Sequence, residues 1–353
     1  MTDTAGTRKT IMSRLFPAGV PRLWCPPLTH YDGAGRIDLR RMSAHLAHIS
    51  RRVKGYLVPG TTGDGWELSD AEEEELLRFA VAGARKSGLA LLAGVLKPDA
   101  EAMARQIDRI VALARTITGK KEVSDCLAAA RIAAFTVCPP KGKALTQEDI
   151  AAGLSAVLDR GLPTALYQLP QVTANEVSPA VFEALVGKYP NLIFFKDTSG
   201  NDRVALSSVN KGGVFLTRGA EGGYAGWLKE GGGPYDGFLL STANCFADRL
   251  AGIVEEAAKG DLRAAQEASD KVGAAFGRVF DLVLPMPQGN AFTNANKAID
   301  HFFAFGPSAR SKEGPMLHAG VRIPRDIIAA TGDVLEQFGL MPRKGYLAGR
   351  PFG

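Results

Sequence analysis

Eight short apolar segments, separated by longer stretches with helical signals, most constrain the fold of this 353-residue chain. Each segment is too short for a core helix, is rich in β-branched or aromatic residues, and is bounded by glycine, proline or polar residues. The segments begin at Val20, Gly55, Leu89, Ala133, Pro163, Leu192, Val214 and Tyr235. Such alternation implies parallel strands joined by right-handed crossovers. It predicts an α/β fold, a (β/α)₈ TIM barrel, with a doubly wound open sheet as the alternative.

Helix-start signals support this alternation. Ser69 precedes an acidic stretch with Glu72 three residues later, which is the pattern of a capping box. Thr146 opens a second helical stretch, and Ser178 followed by Pro179 places a cap and a first-turn proline ahead of a third. These signals predict helices between the strands.

The pattern changes after the eighth segment, where the chain becomes helical throughout. We therefore predict three parts: an N-terminal lead-in (1–18), a barrel that carries the active site (19–243), and a C-terminal helical subdomain with a basic, glycine-rich tail (244–353). The lead-in lacks the apolar core of a secretory signal, and we interpret it as an irregular polar segment.

Composition and charge disfavour several classes of protein. The formal charge of +5 arises from 42 basic and 37 acidic residues spread along the chain, without interleaved aromatics, so nucleic-acid binding is not expected. No apolar run reaches about 18 residues, so no membrane span is expected.

The cysteines and histidines form no motif for a metal or a disulfide. The four cysteines contain no CxxC pair, which favours a reducing, cytoplasmic setting; they are Cys25, Cys126, Cys138 and Cys245. His45 and His48 share a helix face, and the other three histidines are scattered, so we expect surface residues rather than metal ligands.

Polar residues stand where several predicted strands end. Lys196 closes the sixth strand in "LIFFKD", and Tyr167 lies near the end of the fifth in "ALYQLP". The glycine-rich turns "GTTGDG" and "RGAEGG" follow the second and seventh strands, and the eighth ends at Ser241 and Thr242. Because barrel active sites lie at the carboxyl ends of the strands, these residues are expected to share one rim.

Their chemical types suit one reaction. A lysine amine condenses with a ketone only when it is unprotonated, and apolar neighbours such as those before Lys196 lower its pKa. A tyrosine hydroxyl within reach can carry protons to and from the reacting oxygen. The two hydroxyls and the backbone turn of Thr61 and Thr62 suit a carboxylate. No metal site and no cofactor is predicted.

"GTTG", "YQLP" and "FFKDTSGN" occur in an order that resembles the signatures of the dihydrodipicolinate synthase/N-acetylneuraminate lyase superfamily. The resemblance runs from about Gly19 to about Gly339. It implies a pyruvate-handling class I aldolase or dehydratase on a barrel with C-terminal helices. By this resemblance Lys196 is the Schiff-base lysine, Tyr167 is the proton shuttle, and Thr61 and Thr62 hold the keto-acid carboxylate.

Two departures concern the substrate. Synthases of this superfamily usually carry an arginine where this chain has Val172, and a tyrosine that reaches a neighbouring subunit's site where it has Pro140. Other positions are similar to those that bind sugar hydroxyls in the sialic-acid lyase branch. These expected substrate contacts are Thr198, Glu221 and Ser241, and Gly219 is included with them from the same rim.

We therefore predict a Schiff-base lyase that makes or breaks a carbon–carbon bond of a 2-keto(-3-deoxy) sugar acid, with pyruvate as the keto-acid component. The alternatives are a dehydratase that uses the same lysine imine, dihydrodipicolinate synthase proper, and a non-catalytic keto-acid-binding protein. The expected partner is a small 2-keto acid, with neither nucleic acid nor membrane. The resemblance also implies a homo-oligomer, either a tetramer or a dimer.

Overall fold

A computed structural model describes residues 3–348 and shows a closed barrel of eight parallel strands in sequential order, with β8 paired to β1. The strands are β1 (Leu23–Cys25), β2 (Gly55–Val58), β3 (Ala90–Val95), β4 (Ile132–Val137), β5 (Thr164–Gln168), β6 (Leu192–Asp197), β7 (Phe215–Arg218) and β8 (Gly237–Leu239). The predicted barrel is confirmed, and the doubly wound alternative is wrong because the sheet has no open edge.

Helices surround this barrel and extend beyond it. They are α1 (Thr4–Leu15), α2 (Leu39–Ile49), α3 (Asp70–Ser87), α4 (Ala100–Thr118), α5 (Val123–Ala129), α6 (Gln147–Leu158), α7 (Pro170–Thr173), α8 (Pro179–Lys188), α9 (Arg203–Leu206), α10 (Tyr224–Trp227), α11 (Ala243–Lys259), α12 (Leu262–Val283), α13 (Ala291–Phe305) and α14 (Arg325–Gln337). The capping box predicted at Ser69 and Glu72 begins α3, and Thr146 begins α6 with Asp149 as its reciprocal partner.

Large side chains fill the lower half of the barrel interior. Trp24 from β1 packs edge-on against Phe194 from β6, with ring centroids 5.4 Å apart. Gly55 on β2 makes room for this indole, because a Cβ there would lie 2.1 Å from the Trp24 ring. The barrel is therefore closed below, and polar residues collect at its upper, carboxyl rim.

The N-terminal lead-in contains a regular element that the sequence interpretation did not anticipate. Residues of α1 pack against α8 and β6, and the Arg8 side chain is buried. Its guanidinium donates to the carbonyl oxygens of Leu192, Val186, Tyr189 and Gly212. These hydrogen bonds satisfy carbonyl oxygens near the amino end of β6 and attach the lead-in to the barrel.

The C-terminal helices pack on one another and on the barrel. Helix α11 contacts β1 and α2 as well as α12, while α13 contacts α11, α12 and the 3₁₀ turn Thr61–Gly63 after β2. The division at 243/244 stays a prediction, and the end of the predicted tail (349–353) lies outside the described residues. Within residues 3–348, none of the helices is long and apolar enough to cross a bilayer.

Candidate active site

Lys196 lies inside the upper rim of the barrel, at the end of β6, where it pairs in register with Tyr167 of β5. Its side chain is buried, with 4% of the residue exposed. The Nζ atom lies 3.8 Å from the centroid of the Tyr167 ring. The structure therefore brings together the two residues that the sequence selected for catalysis.

Burial lowers the pKa of Lys196 to about 7, against the opposing influence of Cys138, Glu221 and Cys25. Among residues 3–348, no carboxylate lies within ion-pairing distance (4.0 Å) of this amine. A far larger fraction of the Lys196 amines is therefore uncharged at neutral pH than for a lysine of ordinary pKa.

The Tyr167 hydroxyl belongs to a short hydrogen-bonded chain. Its Oη atom lies 3.3 Å from Thr61 Oγ1, which also accepts a bond from Trp66 Nε1 at 3.2 Å. Burial, together with the nearby Cys138 thiol, raises the pKa of Tyr167. The phenol is thus protonated at neutral pH and is suited to act as a proton donor.

The turn that carries Thr61 and Thr62 stands directly above β2 as one turn of 3₁₀ helix, Thr61–Gly63. Both threonines are nearly buried, and Thr29 Oγ1 donates to the Gly63 carbonyl at 2.7 Å from below. The first N–H groups of a helical turn have no partner within the turn, so this geometry presents donors to an anion. It fits the carboxylate role predicted for the two threonines.

Gly219 and Thr198 lie beside Lys196 on the same rim. A Cβ on Gly219 would come within 2.8 Å of Lys196 Cε and 2.3 Å of Thr198 Oγ1. A side chain at position 219 would therefore displace the lysine, so this glycine leaves the space in which the amine lies.

Glu221 lies behind the rim and holds Ser241 in place. Its carboxylate accepts bonds from Ser241 Oγ at 2.6 Å, from Thr242 through Oγ1 at 2.6 Å and N at 3.1 Å, and from the Tyr224 hydroxyl at 3.0 Å. Ser241 Oγ in turn accepts from Asn296 Nδ2 at 2.9 Å. A direct bond from Glu221 to substrate stays a prediction, and it requires one of these bonds to be given up.

One cavity joins most of the predicted residues. Thr61, Thr62, Tyr167, Lys196, Thr198, Gly219 and Ser241 line it, whereas Glu221 does not. Val172, named above as a departure from the family pattern, also lines it, and the lining residues that the sequence interpretation did not assign are Leu169, Gln171, Asn290 and Phe292. Asn290 and Phe292 stand at the start of α13, far from the barrel motifs in sequence, and no local signal marked them.

The two departures from the family pattern lie in different surroundings. Val172 faces the cavity, so an apolar side chain occupies the position of the usual arginine. Pro140 does not line the cavity and packs against α6, where a Cβ on Gly153 would be 2.4 Å from the proline ring.

The surface position expected for the histidines is wrong for three of them. His30, His45 and His301 are buried. His30 Nε2 lies 3.2 Å from His45 Nδ1, and both imidazoles lie 3.7 Å from the Asp300 carboxylate. This network packs α2 against α13, and its partners are too distant in sequence to have been recognised. Nowhere in residues 3–348 do three or more His, Cys, Asp or Glu side chains cluster as metal ligands.

Comparison with known proteins gives a consistent result. The profile of the Dihydrodipicolinate synthetase family matches residues 123–287. The 4-hydroxy-tetrahydrodipicolinate synthase of Agrobacterium fabrum is 28% identical over 262 residues, which cover 73% of this chain and 81% of that protein. The enzyme of the same name from Xanthomonas axonopodis pv. citri is 32% identical over 198 residues, 55% of this chain and 58% of that protein. These matches support the resemblance to the dihydrodipicolinate synthase/N-acetylneuraminate lyase superfamily.

Solved structures show the same fold. YagE, described as an E. coli K12 prophage protein of the dihydrodipicolinic acid synthase family in complex with pyruvate, superposes with a TM-score of 0.70 at 17% identity, over 90% of this chain and 98% of that one. KD(P)GA from T. tenax superposes with a TM-score of 0.67 at 20% identity, over 90% and 99%. At these identities the likeness to solved structures concerns the fold.

Proposed function

We propose that this protein is an enzyme of the class I aldolase type, a Schiff-base-forming lyase that reversibly cleaves a 2-keto(-3-deoxy) sugar acid, with pyruvate as the keto-acid component. The observation that carries the proposal is a buried lysine of lowered pKa whose amine lies 3.8 Å from the ring of a protonated tyrosine. An uncharged amine is the form that attacks a carbonyl carbon.

The first step forms an imine. The Lys196 nitrogen adds to the ketone carbon of the keto acid, loses a proton, and leaves a carbinolamine whose oxygen has gained one. A second proton on that oxygen releases water and gives the iminium. The Tyr167 phenol supplies this proton, and the hydrogen bond to Thr61 keeps its hydroxyl near the turn.

The carbon–carbon bond is made or broken on this iminium. In the cleavage direction, the Tyr167 phenolate left by the first step takes the proton of the C4 hydroxyl, the C3–C4 electron pair moves into the iminium, and an aldehyde departs while an enamine remains; the Tyr167 phenol then returns this proton to C3. Protonation of the enamine at C3 and hydrolysis of the imine then release pyruvate and the free lysine. Thr61 and Thr62 hold the carboxylate throughout, so C3 keeps its position above the amine.

The remainder of the cavity favours a neutral, hydroxylated aldehyde portion. Among its lining residues, Gln171, Asn290, Ser241 and Thr198 offer amides and hydroxyls, and within residues 3–348 Lys196 is the one basic side chain that lines it. A second carboxylate or a phosphate would be buried without a cationic partner, which is unfavourable. Sugar hydroxyls, by contrast, are suited to amide and hydroxyl partners.

Synthesis of 4-hydroxy-tetrahydrodipicolinate is the second candidate, since the curated relatives carry that name. Its aldehyde component bears a carboxylate of its own, and Val172 supplies no charge to receive it. The dehydratase alternative shares the same imine and differs in whether water or an aldehyde leaves. A homo-oligomer stays a prediction.

Borohydride trapping tests the imine directly. Purified protein is incubated with pyruvate and borohydride, and the adduct is located by peptide mass spectrometry. The proposal expects one reduced adduct on Lys196 and none in Lys196→Met. The control variant is Lys97→Met, which removes a lysine paired with Glu73 outside the cavity. Wild-type protein without an adduct contradicts the proposal and supports a non-catalytic binding protein.

Substrate class is tested with three sets of reactants. These are a 2-keto-3-deoxy aldonic acid, its terminal phosphate ester, and pyruvate with aspartate semialdehyde. We expect pyruvate release from the neutral-tailed acid in preference to the phosphorylated one. Faster turnover of aspartate semialdehyde, or loss of water without pyruvate release, selects one of the alternative functions.

A further inference from the structure

A second buried lysine lies outside the cavity, against the turn that carries Thr61 and Thr62. Lys297 on α13 is 1% exposed, and its Nζ donates to the Asp64 carboxylate at 3.2 Å. The same carboxylate oxygen accepts from the Tyr31 hydroxyl at 3.0 Å. None of these three residues is among those that line the cavity.

Asp64 fixes the end of the turn. Its backbone N–H donates to the Thr61 carbonyl at 3.1 Å, and its φ of 61° lies in the left-handed region. Aspartate adopts that conformation more readily than most residues with a Cβ, and bonds to its side chain hold it there. The bonds from Lys297 and Tyr31 supply that restraint through the side chain.

Thr293 makes the second contact between α13 and the turn. Its Oγ1 lies 3.1 Å from the Thr62 carbonyl, to which it donates, and 3.5 Å from the Thr61 carbonyl. Thr293 and Lys297 are four residues apart, so they lie on the same face of the helix. One helix face therefore contacts both the middle and the end of the turn.

We infer that Thr293, Lys297 and Asp64 are positioning residues that hold the Thr61–Thr62 turn in the shape that receives the keto-acid carboxylate. This inference depends on the carboxylate-binding role proposed above for the turn. The three residues act through the turn and do not touch the substrate. Through them the C-terminal helices contribute to keto-acid affinity.

The composition of this contact argues for positioning rather than for stability alone. A buried ion pair is often no more stable than apolar side chains of the same volume, because both charges lose their hydration. A hydrogen-bonded pair does, however, fix direction and distance in a way that apolar contact does not. Displacement of the turn by a fraction of an ångström would misalign the carboxylate with Lys196.

Thr293→Val tests the inference with the least disturbance, since it removes one hydroxyl and keeps the side-chain volume. The readout is borohydride trapping as a function of pyruvate concentration. We expect the half-saturating concentration to rise about three- to tenfold, while the limiting rate stays within about twofold. Thr293→Ser keeps the donor and should restore the wild-type value.

Thr331→Val is the matched control. Thr331 is also a buried helical threonine, and its Oγ1 donates within α14 to the Ile327 carbonyl at 2.8 Å. This variant should lose a comparable buried hydrogen bond without any change in half-saturation.

The double variant Asp64→Asn, Lys297→Met removes both charges together and avoids leaving one of them buried alone. We expect it to fold and to show an increase of about tenfold or more in half-saturating pyruvate. Unchanged half-saturation in both this variant and Thr293→Val overturns the inference, provided that wild-type protein is trapped. Wild-type protein that forms no adduct overturns the proposed function and this inference together.

Discussion

Lys196 and Lys297 are both buried at the upper end of the barrel, yet their surroundings differ in one decisive respect. Lys297 is paired with the Asp64 carboxylate at 3.2 Å, whereas Lys196 faces the Tyr167 ring and has no carboxylate within 4.0 Å among residues 3–348. Burial lowers the pKa of both amines. Only at Lys297 does an adjacent carboxylate compensate the positive charge.

This difference between the two lysines shows that burial alone does not make an amine a nucleophile. A compensated ammonium is held by its partner and cannot attack a carbonyl, while an uncompensated amine loses its proton and keeps its lone pair. The absence of a counter-ion at Lys196, more than its apolar neighbours, therefore separates the proposed catalytic lysine from the positioning one.

Lys196→Met should have the largest effect on turnover. The variant has no amine, so turnover through an imine should fall by at least about 10³-fold, as measured by pyruvate release at saturating substrate. Lys97→Met, which removes a lysine outside the cavity, should keep wild-type turnover. A Lys196→Met enzyme that retains more than a tenth of the rate contradicts the imine route.

Tyr167→Phe should have the second largest effect on turnover. The ring beside the Lys196 amine is kept and only the hydroxyl is lost, so kcat should fall by about 10²- to 10⁴-fold with little change in stability. Tyr56→Phe is the control, because the buried Tyr56 hydroxyl finds no hydrogen-bond partner within residues 3–348. Equal activity of the two variants would exclude Tyr167 as the proton carrier.

Replacement by methionine should change the stability of the protein differently at the two lysines. Lys297→Met leaves the Asp64 carboxylate buried without a cationic partner. The free energy of unfolding, measured by chemical denaturation, should fall by about 3–5 kcal/mol. Lys196→Met removes an amine that is costly to charge, so it should be neutral or stabilising at pH 7.

The pH dependence of that stability follows from the pKa of Lys196, about 7 in the folded chain and 10.5 when unfolded. Between these values the unfolded chain binds the extra proton, so wild-type stability gains up to about 1.4 kcal/mol per pH unit as pH rises. The advantage of Lys196→Met should therefore be largest below pH 7 and vanish near pH 10. A difference that does not depend on pH contradicts the depressed pKa.

Glu221→Gln should give the smallest effect. Burial lowers the pKa of Lys196, and the negative charge of Glu221 partly opposes this, so its removal should lower the pKa further. Trapping should rise with pH through about 7 in the wild type and through a midpoint lower by less than about one unit in the variant. Glu230→Gln, at an exposed ion pair with Arg22, should leave the midpoint unchanged.

Sequence reasoning recovered the barrel and the main residues of the cavity for a physical reason. Parallel strands all end at one rim, so strand-final residues such as Lys196 and Tyr167 are brought together once the strands are counted correctly. The helix caps at Ser69 and Thr146 were equally readable, because a cap depends on residues only three positions apart.

Contacts between segments that are distant in the chain could not be predicted from the sequence in this way. The burial of Arg8 depends on carbonyls about 180 to 200 residues away, and His45 is buried only because α13 brings Asp300 to α2. Polar residues in an amphipathic pattern are assigned to the surface by default, so the lead-in and these histidines were misjudged.

The amino-acid sequence alone specifies the alternation of strands and helices, and with it the rim on which Lys196, Tyr167 and the Thr61–Thr62 turn meet. Folding in three dimensions settled which buried lysine has a carboxylate partner, since Asp64 lies 233 residues from Lys297 in the chain. The same packing placed α13 against the turn, because no local pattern specifies the contact of Thr293 and Lys297 with a loop near the start of the barrel.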